Sequence, residues 1–265
     1  MNRMKSIMTV AYGLVVYGFF AATLLYTIGF VGNLIPNSID SGPPGSPFLA
    51  VAVDLSLIAL FGVQHSVMAR SGFKRWWTRI VPEPIERSSF VLAASLVLAL
   101  LVWQWQPIPE PVIWDVQSHA GTRAIQAVFW SGWAILLIAS FLINHFELFG
   151  VRQVLARLAG RTVPEPHFRT PLLYRYVRHP IYLGFLLGFW AAPRMTAGHL
   201  LFAAANTGYI LVGIWFEERD LIARYGERYR RYRAQVGMLL PWRKAAKPTR
   251  GNQAAALDET APHSA

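Results

Sequence analysis

The amino-acid sequence predicts an all-α fold, a multi-pass transmembrane helical bundle of five to six spans whose last two spans form a helical hairpin. Two observations predict this class. Apolar residues make up 54% of the chain and charged residues only 15%, whereas soluble domains carry about 25% charged residues. The apolar residues also gather in long runs, each close to or above the roughly 20 residues that cross a bilayer core. Such runs form helices, because the bilayer core offers no water to satisfy an open backbone.

Four nearly uncharged runs define the first four spans: residues 8–35, 47–69, 88–106 and 124–146. The first run is longer than the apolar region of a signal peptide and further spans follow it, so we interpret it as a permanent span. A fifth helix begins at Pro180, since proline suits a first helical turn. From there to Pro193 are 14 residues, roughly 21 Å of helix, so we expect this helix to be tilted, kinked or re-entrant. Residues 196–217 form the last full span.

Lysine and arginine alternate strictly between the two sides of the predicted bundle. The formal net charge is +11, and 23 of the 25 basic residues fall on the side that carries both chain ends. The opposite side receives only Arg123 and Arg194. This is the positive-inside pattern, which predicts a protein of the cell inner membrane with both termini in the cytoplasm. The basic residues then serve topology and anionic lipid headgroups, and we expect no nucleic-acid partner.

The remaining cytoplasmic segments predict interfacial helices and a tail. Residues 150–160 place apolar side chains at helical spacing between arginines, which is typical of a helix lying on the membrane surface. Beyond the last span, Tyr225, Tyr229 and Tyr232 form a stripe among arginines, which predicts an interfacial helix that extends the span. The predicted organisation is N-terminal transmembrane helices (1–149), a C-terminal core (150–244) and a disordered tail (245–265).

Charged groups of both signs gather at the cytoplasmic ends of the last hairpin. Arg178 and His179 precede its first helix, and Glu217 and Glu218 end its second helix. If the hairpin closes, the four side chains meet at one membrane surface. Because ionisable groups are costly at membrane depth, this gathering indicates a site for a zwitterionic or charged ligand. The chain has no cysteine, which excludes disulfides, thiolate metal ligands and a cysteine nucleophile, and we predict no metal site.

Two histidines at span ends are further candidates. Gln64 and His65 end the second span, and Asn144 and His145 end the fourth, both on the predicted cytoplasmic side. A lone histidine in such a place is usually a solvated helix end. Two of them, each beside an amide side chain and on the face of the charged cluster, favour a functional site. Asp54, inside the second span, has structural and functional interpretations that stay open.

Three motifs in the last third of the chain resemble the core of the integral-membrane methyltransferases. They are Arg178-His179-Pro180-x-Tyr182-x-Gly184, then Glu217-Glu218-x-x-Leu221, then Tyr225-Gly226-x-x-Tyr229-x-x-Tyr232 with the later Pro241. That superfamily includes isoprenylcysteine carboxyl methyltransferase and the phospholipid methyltransferases, and the resemblance makes residues 150–244 a methyltransferase core with a cofactor-binding hairpin. The segments 64–70, 74–77, 86–87 and 144–150 are similar to the methanethiol S-methyltransferase branch, which is akin to the NnrU-type membrane proteins.

The resemblance implies a membrane enzyme that uses S-adenosylmethionine to methylate a small thiol, methanethiol, to dimethyl sulfide. It implies that Arg178 and His179 contact the carboxylate or adenine end of the cofactor. Glu217 and Glu218 would then bind its amino group and ribose hydroxyls, because a carboxylate accepts two hydrogen bonds in a fixed geometry. Tyr182, one turn after His179, shares the same helix face and joins the predicted cofactor site.

The acceptor thiol must also lose a proton, since the thiolate is the nucleophile. His65 or His145 would take that proton as general base, with Gln64 or Asn144 orienting the imidazole or the thiol. A small thiol offers few groups for recognition, so its binding would depend on a tight apolar cavity that the bilayer can supply.

Two other functions stay open at this point. The same reaction on a prenylcysteine carboxylate, a phospholipid amine or a larger thiol would use the same cofactor motifs. A non-enzymatic membrane haem or denitrification accessory protein would use His65 and His145 as axial ligands, but it leaves the paired glutamates unexplained. The oligomeric state is likewise open.

Overall fold

The computed structural model describes residues 3–43, 45–164 and 167–241. These ranges form ten α-helices, a 3₁₀ turn and two short strands. In chain order they are α1 (Arg3–Val31), α2 (Pro47–Ala69), α3 (Ser71–Trp77), α4 (Glu83–Gln104), β1 (Val112–Asp115), α5 (His119–Ile143), α6 (His145–Leu148), α7 (Val151–Leu158), the 3₁₀ turn (Leu172–Arg175), α8 (Pro180–Trp190), β2 (Arg194–Thr196), α9 (Ala197–Tyr225) and α10 (Glu227–Gln235). The predicted tail, 245–265, lies outside the described residues.

Five of the helices, α1, α2, α4, α5 and α9, are long and apolar enough to cross a membrane. This confirms the predicted all-α, multi-pass membrane bundle. Helices α2 and α8 begin at proline residues, Pro47 and Pro180. Proline suits the first turn of a helix, because the backbone N–H that it lacks would have no partner within the helix there. At the start of α5, the side chain of Ser118 accepts a hydrogen bond from the N–H of Gly121 and caps the helix.

Helix α8 is shorter than the other membrane helices and is held by close contact with α5. Its 11 residues span about 16 Å, so it covers only part of the bilayer depth. A Cβ added to Gly184 would lie 2.6 Å from the carbonyl oxygen of Gly132, and one added to Gly188 would lie 2.9 Å from the ring of Trp133. The glycine pair is therefore a packing device, as predicted. Its partner, however, is α5 rather than α9.

The bundle has two chemically different ends. The first holds the C-terminal ends of α2 and α9 and the start of α8, and we call it the charged end. The second holds the segment between α1 and α2 and the segment between α4 and α5, and we call it the loop end. There β1 pairs antiparallel with β2, with Val112 opposite Thr196 and Asp115 opposite Arg194. Neither of these short strands was predicted from the sequence.

The main core lies towards the loop end and is rich in aromatic side chains. Trp105 packs edge-on against Phe30 and Phe202, with ring centroids 6.0 and 5.5 Å apart. Asp54 has a structural role here, because its Oδ1 accepts a hydrogen bond of 2.9 Å from the backbone N–H of Gln106, just beyond α4. This hydrogen bond satisfies one oxygen of the buried carboxylate and ties α2 to the residue after α4. The other oxygen, Oδ2, is buried without a hydrogen-bond partner among the described residues.

The interfacial helices differ from the prediction at one position. Helix α7 forms where the amphipathic pattern predicts it. At the other predicted site, Gly226 takes a φ of 56°, a left-handed conformation that glycine adopts without strain. It ends α9 and starts α10. The tyrosine stripe is therefore divided between two helices instead of extending the last span.

Candidate functional site

The charged residues of the last hairpin meet at the charged end of the bundle. Nε of Arg178 lies 2.7 Å from Oε1 of Glu218, and Nε2 of His179 lies 3.2 Å from the same oxygen. On the opposite edge of the imidazole, Nδ1 of His179 lies 3.6 Å from Oε2 of Glu217. The hairpin is thus closed, and the four side chains converge as the sequence predicts.

Glu218 is buried and both of its oxygens are occupied by the protein. Oε1 faces Arg178 and His179, while Oε2 lies 3.0 Å from Nε of Arg233. The Arg178 guanidinium is equally engaged, because its Nη1 also donates to the carbonyl oxygens of Arg233 and Val236 at 3.1 and 2.5 Å. A buried charge must be paired in this way to be tolerated. This geometry gives Arg178 and Glu218 a structural function.

The same region is closed by a short main-chain pairing. The backbone N–H of Arg178 donates to the carbonyl of Gly237 at 2.9 Å, and that of His179 donates to the carbonyl of Met238 at 3.1 Å. These bonds hold the segment after α10 beside the first turn of α8. The Arg178 side chain strengthens the same contact by donating to the carbonyl oxygen of Val236. One arginine therefore holds both Glu218 and the segment after α10 in place.

Glu217 contrasts with its neighbour. Its side chain is 43% exposed, against 8% for Glu218. The phenol of Tyr182 faces this carboxylate, and the rings of Tyr182 and His179 are 5.6 Å apart. Because an ionised carboxylate offers about four acceptor positions, Glu217 retains capacity for a ligand. Of the two glutamates, it is the one that a ligand can reach.

Buried tyrosines form the wall behind this cluster. Burial raises the pKa of Tyr174, Tyr229 and Tyr232, so all three remain protonated at neutral pH. Tyr232 donates its hydroxyl to the carbonyl of Tyr174 at 2.5 Å. The hydroxyl of Tyr229 is buried without a hydrogen-bond partner among the described residues. Two of the three residues belong to the tyrosine motif, which therefore contributes mainly to packing.

His145 is surrounded by partners that occupy both ring nitrogens. Ser140 donates its hydroxyl hydrogen to the carbonyl of Leu137, so its oxygen accepts from Nδ1 of His145 at 2.8 Å. Nε2 then accepts from the hydroxyl of Tyr17, also at 2.8 Å. Burial lowers the pKa of His145, which favours the neutral ring. The side chain of Asn144 is used as well, donating to Oε2 of Glu147 at 2.6 Å.

His65 has the opposite character. Its ring lies between Phe61 and Phe90, with centroids 5.5 and 5.0 Å away. Its Nδ1 is buried and has no hydrogen-bond partner in the described part of the chain. The same is true of Oε1 of Gln64, whose Nε2 contacts only the sulfur of Met68. Two adjacent residues of α2 thus carry buried polar atoms that lack a partner among the described residues, which makes this pair a candidate for contact with a ligand.

Comparison with known proteins identifies the family. The chain is 55% identical to a methanethiol S-methyltransferase of Mycobacterium tuberculosis over 240 residues, which cover 90% of this chain and 98% of that protein. It is 53% identical to methanethiol S-methyltransferase 1 of Bradyrhizobium diazoefficiens over 245 residues, or 92% and 86% of the two chains.

The chain belongs to the methanethiol S-methyltransferase family. It is also 31% identical to nurim of Xenopus laevis over 167 residues, which cover 60% of this chain and 58% of nurim. This second similarity agrees with the membrane methyltransferase superfamily that the sequence motifs resemble. No family model and no solved structure matches the chain.

A member of the methanethiol S-methyltransferase family is a methyltransferase and needs a methyl donor. The side chains at the charged end fit a donor that carries positive charge and hydroxyl groups. Glu217 supplies a reachable acceptor, and Tyr182 supplies a phenol beside it. These side chains therefore suit the kind of methyl donor that a methyltransferase of this family requires.

Sequence reasoning missed some of the residues that build this charged cluster. Arg233 pairs with Glu218, yet in sequence it is one of several arginines in the tyrosine stripe and nothing separates it from the others. Arg70 lies against α9, with Nη1 3.5 Å from Oδ2 of Asp220. Its place in the segment 64–70 was noticed only as part of the resemblance.

A second polar cluster, at the loop end, was not predicted at all. Asp40 accepts a hydrogen bond of 2.5 Å from Thr196 and one of 2.6 Å from Asn33. Nδ1 of the buried His199 lies 3.5 Å from its carboxylate, and Nε2 lies 2.9 Å from the carbonyl of Phe189. Burial acts to raise the pKa of Asp40, but the contacts with His199, Thr196 and Asn33 prevail and lower it. This cluster joins the loop after α1 to the start of α9.

Proposed function

We propose that the protein transfers a methyl group from S-adenosylmethionine to methanethiol and forms dimethyl sulfide. Relatives named for methanethiol S-methylation match it over at least 80% of both chains. The observation that carries the donor assignment is the half-exposed carboxylate of Glu217 beside Tyr182 and His179. An amino group or a pair of ribose hydroxyls requires such an acceptor.

Within this proposal, the residues of the charged end divide into two groups. Glu217 binds the donor directly, and Tyr182 and His179 fix its orientation from either side. Arg178 and Glu218 position these groups from behind, because their own hydrogen-bonding capacity is used within the protein. This narrows the sequence-based assignment, in which all five residues contact the cofactor. S-adenosylmethionine, when bound, supplies a methyl group activated by positively charged sulfur.

His65 takes the proton of the acceptor thiol in this proposal. Its buried Nδ1 has no hydrogen-bond partner among the described residues, so the tautomer with a free lone pair at that nitrogen is available, whereas Nε2 of His145 is already hydrogen-bonded to Tyr17. A general base needs a free lone pair, so the choice between the two histidines falls on His65. Phe61 and Phe90 give the imidazole apolar neighbours that suit a small thiol. Gln64, with its unsatisfied Oε1, orients the thiol or the imidazole.

The contacts of His145 also argue against the haem alternative. Axial ligation requires an imidazole nitrogen with a free lone pair. Since the neutral ring donates to Ser140 from one nitrogen and accepts from Tyr17 at the other, ligation would break a buried hydrogen bond. His145 and Asn144 are better explained as structural residues at the join between α5 and α6.

We further propose that the charged end faces the cytoplasm at the inner membrane, with both termini on that side. The support is the distribution of basic residues, 23 of 25 on one side, which follows the positive-inside rule. The donor is a water-soluble cytoplasmic compound and reaches this end directly. Methanethiol is small and apolar, so the bilayer is an available route to His65 in α2.

The acceptor can be tested on purified protein in lipid nanodiscs with methyl-labelled S-adenosylmethionine. Methanethiol, a longer alkanethiol, phosphatidylethanolamine and a farnesylated cysteine are supplied separately. The proposal expects the highest kcat/KM with methanethiol. Faster methylation of the lipid or the prenylcysteine would overturn the acceptor assignment, and the absence of labelled product with every acceptor would overturn methyl transfer itself.

A further inference from the structure

We infer that Arg70 binds the α-carboxylate of S-adenosylmethionine. This inference rests on the proposed function and deepens it, because it adds a cofactor-binding residue from α2 to a site so far built from α8 and α9. It also takes the carboxylate away from Arg178, which the resemblance had placed with His179 at the carboxylate or adenine end of the cofactor.

Arg70 lies against the stretch of α9 that carries Glu217. Its Cζ is 4.0 Å from the ring centroid of Phe216, and its Nη1 is 3.5 Å from Oδ2 of Asp220. Phe216 directly precedes Glu217, and Asp220 follows it by one helical turn. Arg70, at the end of α2, therefore contacts the residue just before Glu217 and the residue one turn after it.

The position of Arg70 is set by helix packing. Gly62 and Ser66 lie four residues apart on one face of α2, and Arg70, the first residue after the helix, follows at the same spacing. The hydroxyl of Ser66 lies 3.5 Å from that of Tyr209, and a Cβ on Gly62 would lie 3.2 Å from the Tyr209 ring. These contacts hold α2 alongside α9 and place Arg70 at the charged end.

Arg70 has the free capacity that Arg178 lacks. The Arg178 side chain is 8% exposed and bonds to Glu218, Arg233 and Val236. The Arg70 side chain is 38% exposed, and within the described residues it makes one ion-pair contact, to an Asp220 side chain that is 75% exposed. Exposed pairs of this kind contribute little and exchange readily. Phe216 covers one face of the guanidinium, which leaves N–H groups at its edge for a ligand.

Three other cations at the charged end are engaged elsewhere. Nζ of Lys74 lies 3.2 Å from the buried Glu86, and Arg233 pairs with Glu218. The guanidinium of Arg219 lies over Trp215, and these two residues project from a different face of α9 than Phe216. Among these cations, Arg70 is the one that contacts α9 at Phe216 and Asp220, on either side of Glu217 in sequence.

The pair of opposite charges suits the amino-acid end of the cofactor. An α-ammonium and an α-carboxylate share one carbon atom, so their partners must lie close together and carry opposite charges. Glu217 accepts from the ammonium, and the Arg70 guanidinium donates to the carboxylate in the two-point geometry that arginine favours. In the absence of ligand, Asp220 forms an ion pair with the Arg70 guanidinium, and the ligand carboxylate replaces Asp220 on binding.

The test measures binding rather than turnover, by isothermal titration of nanodisc protein with two ligands. S-adenosylmethionine carries the α-carboxylate, and decarboxylated S-adenosylmethionine lacks it but keeps the amino group and the sulfonium. Arg70→Gln is expected to weaken S-adenosylmethionine binding ~10-fold to 100-fold, the loss of a charge-assisted contact. Binding of the decarboxylated ligand should stay unchanged. The matched control, Arg219→Gln, removes the same charge at the same end and should affect neither ligand.

Equal effects of Arg70→Gln on both ligands, or no effect on either, would overturn the inference. If that variant does not fold, the exposed change Asp220→Asn decides the matter. It removes the competing carboxylate and should tighten S-adenosylmethionine binding alone, and unchanged binding would count against Arg70. Failure of the proposed function is seen separately, as wild-type protein that forms no dimethyl sulfide whatever its affinity for either ligand.

Discussion

The Nε atom of Arg178 lies 2.7 Å from Oε1 of Glu218, and both side chains are about nine-tenths buried. The two residues therefore neutralise each other inside the protein, and their charges are not available to pair with a ligand. Arg178 also holds the carbonyl of Val236, so the pair connects α8, α9 and the segment after α10. Its neighbour Glu217 is left as the reachable carboxylate.

Replacing Glu218 with Ala should destabilise the fold. The substitution leaves Arg178 buried without its carboxylate, and breaking a buried pair costs about 3–5 kcal/mol. Thermal unfolding in detergent measures the effect as a clear fall in Tm. Glu217→Ala is the matched control and should keep the wild-type Tm, because that side chain is 43% exposed. Similar Tm values for both variants would contradict the division between the two glutamates.

Much of the fold follows from the sequence, and so does the convergence of the charged residues. Long apolar runs specify spans, and the motif spacing brings Arg178 and His179 to the glutamates. The roles within the cluster do not follow, because they depend on burial. Adjacent glutamates look equivalent in sequence, yet α9 turns Glu218 inward and Glu217 outward. His65 and His145 also look equivalent, and only tertiary contacts from Tyr17 and Ser140 separate them.

Substitution of His65 with Gln should lower turnover selectively. A general base contributes about 10²–10⁴-fold, and raising the pH should restore part of the loss because more thiolate forms without help. Steady-state rates across a pH series, with donor affinity measured in parallel, check this. Affinity should stay near the wild-type value, since the loss falls on the chemical step. A flat pH response of the variant would argue against proton removal by His65.

His145→Gln is the counterpart and should act through stability. It disturbs buried hydrogen bonds to Tyr17 and Ser140, and an unsatisfied buried polar group costs about 1–3 kcal/mol. Differential scanning fluorimetry should report a lower Tm, while turnover per folded molecule stays close to wild type. Loss of turnover at an unchanged Tm would return His145 to the list of candidate bases.

The cluster around Asp40 predicts acid sensitivity at the loop end. Its pKa lies below the ordinary value of 3.8, so its carboxylate contributes stability that is complete above that value and is lost as the pH falls through the lowered pKa. Asp40→Asn should therefore lower Tm at neutral pH, and the difference from wild type should shrink near pH 3. A difference in Tm that stays constant across this range would show that the charge of Asp40 does not matter.

The orientation in the membrane can be tested with single cysteines, since the chain has none of its own. The positive-inside pattern predicts that Ser41→Cys at the loop end reacts with an impermeant maleimide in intact cells. Glu83→Cys, at the start of α4, should react only after lysis. The reverse pattern would invert the topology and put the charged end outside the cell.

The most direct measurement is dimethyl sulfide formation by purified protein from methanethiol and S-adenosylmethionine with a deuterated methyl group. Headspace mass spectrometry follows the label as the donor concentration is varied, for wild type and Glu217→Gln. We predict labelled dimethyl sulfide from the wild type, and a KM for the donor at least ~10-fold higher in the variant, the loss of a charge-assisted hydrogen bond. Unlabelled product, no product, or an unchanged KM in Glu217→Gln would contradict methyl transfer at a site built around Glu217.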